Sequence, residues 1–409
     1  MAKVNTTIQS DCKVLMVLHS IPHDSTFLLN KFRLLNEVLG VKMLVWDSRK
    51  NIERLRVDKN LKSRIYLGLS STKFNAVALH CIGCLFALIQ RPGKLIQFYL
   101  FLKNKLGWLK AGGALLKYYQ LILLKPKVIH FEFGTLGKSM LYLKEFFHFK
   151  AVVSFRGYDL NYVGLEDPSY YEMVWRKCDG FHFLGHDLLS RAIKRGYKRK
   201  TGFEVLIPPA VDANFFKRTV PYPEVKDKII ILSVGRIVWK KGIEYSLRLV
   251  KKLLDAGYPI EYRIVGSGDY LQAIRYTIFE LNLSDHVKIL GPKTPVEIKN
   301  EMEKAHLFLH LAISEGFCNA VIEAQSMELP IVCSDADGLA ENIEDEVTGF
   351  VVPKWELAEA QDKIVHLFKS NGRAKEMGMR GRERVVNRFL IQDQINQFKE
   401  FYLKVCELT

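Results

Sequence analysis

Short apolar runs alternate with longer amphipathic stretches along most of the chain. The runs are rich in Val, Ile and Leu, which is typical of strands in a parallel sheet that is covered on both faces. The stretches between them have helical spacing, and two of them end at Gly40 and Gly257, residues suited to a helix C-terminus. Strands are predicted at 13–18, 41–45, 128–131, 151–155, 181–184, 205–207, 229–234, 262–265, 287–290, 307–311 and 331–334. This alternation predicts an α/β fold with parallel sheets.

The alternation is interrupted at residues 207–223, where several prolines fall between apolar runs. A chain of 409 residues is long enough for two domains of about 200 residues, each with its own core. We therefore predict two Rossmann-like domains, 1–215 and 216–388, that face each other across a cleft. The segment 389–409 carries a last helix, which we expect to pack back on the amino-terminal domain.

Positive charge is concentrated in the first third of the chain. Residues 1–127 contain 21 Lys and Arg against 6 Asp and Glu, whereas the remainder contains 39 against 38. Residues 59–131 include no acidic residue. Such an asymmetry indicates an anionic partner, which could be lipid headgroups, nucleic acid or an acidic glycan.

Within this basic region, residues 95–109 mix Leu, Phe, Tyr and Trp with lysines. The pattern predicts an amphipathic helix that lies on an anionic membrane surface, using Lys94, Lys103, Lys105, Lys110, Lys117 and Trp108. The alternative is a pair of core helices whose lysine side chains extend to water.

Several other classes of protein are disfavoured. The turn at 19–22 lacks the glycines that a dinucleotide needs after a first strand, which argues against a nicotinamide or flavin site. No apolar run is long and charge-free enough to span a bilayer, and the amino terminus lacks the apolar segment of a signal peptide. The seven cysteines are scattered. Because Cys81 and Cys84 form a single Cys-x-x-Cys, we expect buried free thiols in a reducing compartment rather than a metal site.

The stretch 314–330 carries the most informative chemistry. Glu315 follows a predicted strand, at the edge where open α/β sheets bind ligands. Glu323 lies four residues after Asn319, the predicted start of a helix, so the two residues share one helix face. Free backbone N–H groups at 316–319 form an anion site at the helix start. Two carboxylates and a cluster of donors suit a ligand with hydroxyls and phosphate; the alternative is an ordinary surface loop before an amphipathic helix.

A second cluster follows the strand 229–234. Gly235 allows the backbone to approach a ligand closely. Arg236 and Lys241 project from the loop and the helix start, where they could bind a diphosphate and stabilise its charge as it leaves. The alternative is that Arg236 and Lys241 are ordinary surface residues at a helix start. Positive side chains at a helix start are unfavourable without a bound anion, which argues against this alternative. The turn 266–268 adds a Gly-Ser-Gly sequence.

Polar side chains also follow two predicted strands of the first half. His130 ends one strand, and Arg156 and Asp159 follow the next. Since the carboxyl ends of parallel strands meet at the ligand-binding edge of a sheet, these three residues are candidates for a substrate site.

Together these motifs resemble the retaining nucleotide-sugar glycosyltransferases of family 4, the glycosyl transferases group 1, which have the GT-B fold. The resemblance rests on Gly-Arg-x4-Lys-Gly, Gly-x-Gly, Glu-Gly-Phe-x5-Glu-Ala with Leu-Pro, and Thr-Gly-Phe-Val-Val-Pro at 348–353. These motifs occur in the right order over residues 203–390. The amino-terminal half matches more loosely, through Pro22, 25–27 and 155–159.

The resemblance implies a role for each matching residue. Arg236 and Lys241 would hold the donor diphosphate. Glu315 would contact the transferred sugar near its reacting carbon, and Glu323 would accept hydrogen bonds from the ribose hydroxyls. The N–H groups of 317–320 would complete the cradle. The implied catalytic residues are Glu315, Arg236 and Lys241. The implied donor-binding residues are Arg236, Lys241, Gly266, Gly291, Lys293, Glu315, Gly316, Phe317, Cys318, Asn319, Ala320 and Glu323.

Two further positions follow from the resemblance. The turn at 291–293 would flank the nucleotide base. Relatives usually carry His at the position of Arg156, where it approaches the donor sugar. The change indicates either a charged donor or acceptor, or that His130 takes this role; His130, Arg156 and Asp159 are therefore assigned to the acceptor side.

The implied activity is a retaining, metal-independent hexosyltransferase that builds a surface polysaccharide. It would use a nucleotide-diphosphate sugar as co-substrate, no cofactor and no metal, and a lipid-linked or oligosaccharide acceptor. We expect it in the cytoplasm, on the inner face of the cytoplasmic membrane, without a nucleic acid partner. The alternatives are a sugar-nucleotide epimerase of similar architecture and a non-enzymatic adaptor whose basic half binds nucleic acid.

Overall fold

The apolar runs form two parallel sheets in the computed structural model, which describes residues 12–18, 26–45, 65–68, 74–199, 203–370 and 372–408. The predicted turn at 19–22 and the loosely matching Pro22 and Ser25 lie outside these residues. The chain divides into two units. Unit 1 comprises Met1–Phe183, Ala192–Val205 and Ile395–Thr409, and unit 2 comprises Leu184–Arg191 and Leu206–Gln394.

Unit 1 contains a seven-stranded sheet with the order β3-β2-β1-β4-β5-β6-β7. The strand pairs from β3 to β6 are all parallel. The elements up to the end of this sheet are β1 (Val14–Leu18), α1 (Thr26–Leu39), β2 (Lys42–Val45), β3 (Ile65–Leu67), α2 (Phe74–Gln90), α3 (Pro92–Leu106), α4 (Trp108–Tyr118), α5 (Gln120–Leu124), β4 (Val128–Phe131), α6 (Gly134–Met140), α7 (Lys144–Phe147), β5 (Lys150–Phe155), α8 (Gly157–Asn161), α9 (Glu172–Lys177), β6 (Gly180–Phe183), α10 (His186–Lys194) and β7 (Phe203–Leu206).

Unit 2 contains a six-stranded sheet with the order β10-β9-β8-β11-β12-β13, and all of its pairs are parallel. Its order reverses between β8 and β11, and ligands of open α/β sheets bind at such a switch point. The remaining elements are β8 (Ile229–Val234), α11 (Ile243–Asp255), β9 (Ile260–Val265), α12 (Leu271–Glu280), β10 (Val287–Gly291), α13 (Pro295–Lys304), β11 (Leu307–His310), α14 (Asn319–Ser326), β12 (Ile331–Ser334), β13 (Gly349–Val352), α15 (Leu357–Lys369), α16 (Arg373–Arg388) and α17 (Ile391–Glu407).

The division into units differs from the predicted boundary at 215–216. Unit 2 begins at Leu206, because the segment after it is bonded to that unit: Val211 pairs with Leu390, and the Phe216 carbonyl accepts a 2.6 Å hydrogen bond from Ser326 Oγ. Residues 184–191, which were predicted to belong to the first domain, also cluster with unit 2. Arg191 there pairs with Asp337 at 2.7 Å.

The carboxy-terminal helix α17 leaves unit 2 and packs on unit 1 from Ile395 onward. Its Phe398 and Tyr402 are buried, and Tyr402 OH lies 2.5 Å from His130 Nδ1. A disulfide joins Cys12, just before β1, to Cys406 near the end of the helix, contrary to the expectation of free thiols in a reducing compartment. The carboxyl end of the chain is thus part of the unit formed by its amino-terminal half.

Two expectations about residues 74–124 need correction. The helix predicted over 95–109 is broken at Gly107, which has φ +81° and separates α3 from α4. Cys81 and Cys84 are free thiols, as expected, but they are not buried: Cys81 is exposed and Cys84 is half-buried. Among the helices within the described ranges, none combines the length and the hydropathy needed to cross a bilayer.

Candidate active site

The loops that follow β8, β9 and β11 meet at the carboxyl ends of these strands. Two glycines make this close approach possible. A side chain at Gly266, where φ is +141°, would collide with the Gly235 carbonyl, and one at Gly242, where φ is +63°, would collide with the Leu311 carbonyl. Both positions therefore require glycine on grounds of space and of backbone conformation. The packing brings the loop of Arg236 and Lys241 against the loop that leads to Glu315.

Lys241 and Glu315 form an ion pair at this point. The Lys241 ammonium donates a hydrogen bond to Glu315 Oε2, and the two side chains are only 14% and 12% exposed. Burial acts to raise the pKa of Glu315, but Lys241 and His310 outweigh it and lower the pKa to about 2. Burial likewise acts against the charge of Lys241, yet Glu315 leaves the pKa of Lys241 raised. Both residues are charged at neutral pH.

His310 and Cys318 lie beside this ion pair. His310 Nε2 is 3.5 Å from Cys318 Sγ and 3.8 Å from Glu315 Oε2, and both residues are buried. Burial acts to raise the pKa of the Cys318 thiol, but His310 and Lys241 lower it overall. His310 was not among the predicted site residues; the available signal was a polar residue that ends the apolar run 307–310 directly before the Glu315 loop.

The amino end of α14 supplies backbone donors, although fewer than expected. The N–H of Cys318 donates to Asn342 Oδ1 at 3.2 Å, so this predicted donor is already used within the protein. Asn342 Nδ2 in turn donates to the Cys318 carbonyl at 2.8 Å, which holds the loop in place. No described side chain caps the helix, and the N–H groups of Asn319 and Ala320 have no bond among the described residues. These two donors and the helix dipole could hold an anion.

Phe317 and Gly316 have structural rather than ligand-binding surroundings. Phe317 is buried and packs edge-on against Phe389, with ring centroids 6.0 Å apart. Gly316 is also buried, and its carbonyl lies where a side chain at Gly338 would stand. Of the donor-site residues predicted at 316–320, Gly316, Phe317 and Cys318 are buried, whereas Asn319 and Ala320 are half-buried.

Glu323 lies on α14, one turn after Asn319. It is half-buried, and its carboxylate makes no hydrogen bond or ion pair to any described residue. Burial raises its pKa to about 7. A partly buried carboxylate without a donor is unfavourable, which marks Glu323 as a group prepared to accept hydrogen bonds from a ligand.

The other predicted donor-site residues lie around this centre. Arg236 is exposed, directly after β8. Gly291 ends β10, and its carbonyl accepts a 2.9 Å hydrogen bond from the N–H of Gly266, which links the end of β10 to the loop after β9. Lys293 lies two residues further, with Nζ 4.0 Å from Glu297 Oε1.

Asp335 and Asp337 form an Asp-x-Asp sequence, and both carboxylates accept hydrogen bonds within unit 2. Asp337 accepts hydrogen bonds from Ser314 and Arg191, and Asp335 accepts one from the Lys354 backbone at 2.9 Å. These bonds engage both carboxylates with protein donors.

In unit 1, a buried glutamate organises the edge of the sheet. Glu132, directly after β4, is fully buried and binds Lys31 Nζ at 2.7 Å and Arg156 NH2 at 2.6 Å. Glu132 was not among the predicted site residues, although it is the first acid after a run of residues without one. The bond to Glu132 holds the Arg156 side chain, which is 14% exposed.

His130 and Asp159 do not fit the predicted acceptor-side role. His130 is completely buried, with Nε2 2.7 Å from Ser154 Oγ and Nδ1 bonded to Tyr402, and burial lowers its pKa to about 3. Asp159 is also fully buried and accepts a 3.0 Å hydrogen bond from the Arg156 N–H at the start of α8. Both side chains fasten the protein internally, which leaves Arg156 as the candidate for contact with a substrate.

Sequence comparisons identify the carboxy-terminal half. Residues 216–384 match the family described as "Glycosyl transferases group 1". The chain is 28% identical over 188 residues to the capsular polysaccharide biosynthesis glycosyltransferase CapM of Staphylococcus aureus, which covers 45% of this chain and 49% of that protein. It is also 26% identical over 172 residues to the phosphatidylinositol N-acetylglucosaminyltransferase GPI3 subunit of Saccharomyces cerevisiae, covering 40% and 38%. The chain spans half or less of the length of the curated relatives it matches.

A structural comparison covers the whole chain. The crystal structure of Anabaena Alr3699/HepE in complex with UDP and glucose superposes with a TM-score of 0.74, at 15% sequence identity, over 97% of this chain and 100% of that one. This likeness shows the fold: two Rossmann-like parallel-sheet domains of the GT-B class, as predicted.

Proposed function

We propose that this chain, whose residues 216–384 form a domain of the group 1 glycosyl transferases, transfers a hexose from a nucleotide-diphosphate sugar with retention of configuration. The observation that carries the proposal is the arrangement at the β8–β11 switch point. An ion-paired lysine and glutamate, an uncapped helix start and an unpartnered carboxylate occur together there. Each suits one part of a nucleotide sugar: the diphosphate, the hexose and the ribose. The domain family supports the same ligand.

The charges of the site suit a leaving diphosphate. Arg236, Lys241 and the amino end of α14 would surround the developing negative charge, and a charge-assisted hydrogen bond of this kind contributes about 1.5–3 kcal/mol. Cationic side chains and a helix dipole can supply the stabilisation that a divalent ion supplies in other enzymes. We therefore infer that transfer needs no metal ion and no cofactor.

The two carboxylates would have different tasks. Glu315 is ionised in the free protein and can accept hydrogen bonds from hydroxyls of the transferred sugar. Glu323 lies on the helix and would accept bonds from the two ribose hydroxyls, which would relieve its lack of donors. The turn at 291–293 would flank the base, since it follows the strand next to β9.

The acceptor is inferred to be anionic. The resemblance implies a histidine where Arg156 brings a permanent charge, and Glu132 holds this side chain, which is 14% exposed, at the end of β5. A guanidinium in this position suits a phosphate or carboxylate group on the acceptor. A lipid-linked glycan carries such a phosphate next to the lipid, and the relatives named for capsular polysaccharide and phosphatidylinositol are consistent with a surface glycan or lipid acceptor.

Helices α2, α3 and α4 expose an apolar surface that supports membrane binding. Trp108 and Leu109 are 70% and 78% exposed. The large apolar side chains of these helices that are more than half exposed are Ile82, Leu85, Phe86, Ile89, Ile96, Trp108 and Leu109. Lys94, Lys103 and Lys110 are exposed among them. Apolar side chains that can insert below headgroups, next to lysines that attract anionic lipid, are typical of a surface-bound protein. We infer a peripheral enzyme on the inner face of the cytoplasmic membrane.

Thermal-shift screening of the whole chain against nucleotide sugars tests the donor assignment. A ligand at one hundred times its dissociation constant stabilises the folded protein by about 2.7 kcal/mol, so one nucleotide family should raise the melting temperature clearly. Arg236→Ala should lose this shift, whereas Lys252→Ala, at an exposed position of α11, should keep it. No shift with any nucleotide sugar, or an equal shift in Arg236→Ala, would overturn the assignment.

A transfer assay separates a transferase from an epimerase of the same fold. With membrane lipid extract as acceptor, a transferase releases free nucleoside diphosphate and labels the extract with the sugar. An epimerase converts the nucleotide sugar without an acceptor and releases no nucleotide. Isomerised donor in the absence of lipid would contradict the proposal.

A further inference from the structure

The loop between β11 and α14 brings three metal-binding side chains together. They are His310 at the end of the strand, Glu315 in the loop and Cys318 directly before the helix. One donor atom of each, His310 Nε2, a Glu315 carboxylate oxygen and Cys318 Sγ, lies within 4.8 Å of the other two. No comparable group of three occurs elsewhere in the described part of the chain.

We propose that His310, Glu315 and Cys318 bind a thiophilic divalent cation, Zn²⁺, with a fourth position open to water or a ligand. Bond lengths of about 2.0–2.3 Å and tetrahedral angles place zinc ligands roughly 3.3–3.6 Å apart. The distance of 3.5 Å between His310 Nε2 and Cys318 Sγ lies in this range. The distance of 3.8 Å between His310 Nε2 and Glu315 Oε2 is slightly longer, and a small movement of the glutamate side chain would bring it into the range. Three protein ligands of mixed N, O and S type with one open position are typical of accessible zinc sites.

The loop is held in this shape by bonds outside the three ligands. Asn342 bonds both the N–H and the carbonyl of Cys318, and Ser314 donates a hydrogen bond to Asp337. The ring of His310 stacks at 27° to that of Phe308, two residues earlier on the strand. Because these contacts fix both ends and the middle of the loop, the three donors stay together without a metal ion. Such preorganisation lowers the cost of binding one.

Lys241 is the competing cation. Its ammonium occupies Glu315 Oε2 in the free protein, so a metal ion at this oxygen takes the place of the ammonium. On binding, the Cys318 thiol loses its proton to water and the thiolate forms the bond to zinc. The two negative ligands then balance the charge of the ion, and Lys241 is released from Glu315.

This exchange has a consequence that rests on the proposed function. Glu315 cannot bind zinc and the hexose of a donor at once, and Lys241 loses the partner that positions it. Zinc and the nucleotide sugar would therefore exclude each other, so that zinc inhibits an enzyme that needs no metal ion for transfer.

Cobalt titration of the whole chain tests the site without any assay of activity. Co²⁺ replaces Zn²⁺ in such sites and reports its ligands by colour. We expect a thiolate-to-metal charge-transfer band and the visible bands of four-coordinate cobalt, saturating at one equivalent and abolished by added Zn²⁺. Cys318→Ser should lose the charge-transfer band, and His310→Ala should weaken binding and shift the visible bands.

The remaining free thiols provide matched controls. Cys81→Ser combined with Cys84→Ser should keep the bands, as should Cys178→Ser in unit 1. Absence of the bands in the wild-type chain, or bands that survive Cys318→Ser and vanish in the Cys81/Cys84 double variant, would overturn the proposal. Circular dichroism of each variant shows whether it is folded.

A separate measurement tests the inhibitory consequence. The apparent dissociation constant of Zn²⁺ should rise in proportion to the concentration of nucleotide sugar. If the cobalt bands appear as expected but nucleotide sugar leaves them unchanged, the metal site stands and the donor assignment of Glu315 fails. The two proposals are thus distinguished by different readouts.

Discussion

Lys241 and Glu315 show how a single pair can be both structural and functional. Each charge is nearly buried, and either one alone would be costly because removing one partner of a buried pair leaves an uncompensated charge. Together they keep both groups ionised next to the helix start. A substitution of either residue therefore affects stability and turnover, and the two effects have to be separated.

We expect Lys241→Met and Arg236→Ala each to reduce turnover by roughly 100-fold, as loss of one charge-stabilising donor does. Steady-state release of nucleoside diphosphate measures it. Arg236 is exposed, so its substitution should leave the melting temperature unchanged, whereas Lys241→Met should lower it.

The double variant Lys241→Met with Glu315→Gln separates the two effects. It removes both charges, and it should regain stability relative to Lys241→Met without regaining turnover. Recovery of turnover along with stability would mean that the pair serves folding alone.

Glu323 predicts a pH dependence of donor binding. Its pKa is raised to about 7 in the free protein, and ribose hydroxyls donate to the ionised form. Binding therefore favours the carboxylate, and affinity should rise as the pH increases from about 6 to 8, with proton release on binding below pH 7. Calorimetry with a nucleotide sugar suits this measurement, because its diphosphate does not titrate in the range.

The control for this prediction is Glu323→Gln. This variant should bind the nucleotide sugar more weakly than wild type at pH 8, and its affinity should not show the pH dependence of the wild-type protein. An unchanged pH profile in Glu323→Gln would assign the titration to another group and remove the support for a ribose contact.

At the scale of elements, the buried Glu132 connects the ends of two strands with a helix of unit 1. Glu132 after β4 binds Lys31 of α1 and Arg156 after β5, and the Lys31 ammonium lies 3.8 Å from the centre of the Phe398 ring on α17. Burial acts to raise the pKa of Glu132, but Lys31, His130 and Arg156 lower it overall. Four elements are therefore joined through one carboxylate.

We expect Glu132→Ala to destabilise the protein by about 3–5 kcal/mol, because it leaves Lys31 buried without a partner. Chemical denaturation measures the change. Since the pKa of Glu132 is lowered on folding, its contribution is present above the unfolded pKa and is lost as the pH falls through the folded one.

Glu145→Ala is a suitable comparison, because this exposed acid also pairs with two lysines, Lys105 and Lys177. Its loss should change stability by less than about 1 kcal/mol, as is usual for surface pairs. Similar losses in the two variants would show that burial of Glu132 does not determine its importance.

At the scale of the whole molecule, charge and exposed apolar surface coincide in one part of the chain. Residues 1–127 carry a net charge of +15 out of +16. Helices α2, α3 and α4 contribute both the exposed apolar side chains and several exposed lysines. Lys105 is the exception, since it pairs with Glu145 at 2.7 Å. Lys94, Lys103 and Lys110 are exposed.

We expect the chain to sediment with anionic vesicles at low salt and to remain in solution with neutral ones. Each lysine near such a surface contributes about 1 kcal/mol, so replacing Lys94, Lys103 and Lys110 by Glu should weaken binding by roughly 100-fold or more. Higher ionic strength should release the wild-type protein. Trp108→Ser should also weaken binding.

The matched control replaces three exposed lysines of unit 2, Lys226, Lys228 and Lys375, by Glu. The change in net charge is the same, and binding should be reduced much less. Equal loss in both triple variants would point to net charge rather than to this surface, and wild-type protein that stays in the supernatant would end the hypothesis.

The sequence by itself determined the strands and the chemistry of the donor loops. The runs at 128–131, 229–234 and 331–334 coincide with β4, β8 and β12, because a strand buried on both faces is apolar throughout and needs no partner to be recognised. The start of α14 at Asn319 was predicted from residues adjacent in sequence. The three-residue strand β3 was missed, since it is too short to form a pattern.

The tertiary structure alone decided which polar residues are internal. His130 lies near the end of β4, and Asp159 follows β5 just as Arg156 does, yet His130 and Asp159 are both buried and bonded to Tyr402 and to the Arg156 backbone. The contact between His310 and Cys318 depends on the conformation of the loop between β11 and α14. Local sequence specifies the elements through periodicity, whereas burial and pairing depend on side chains brought together from distant positions, such as Cys12 and Cys406.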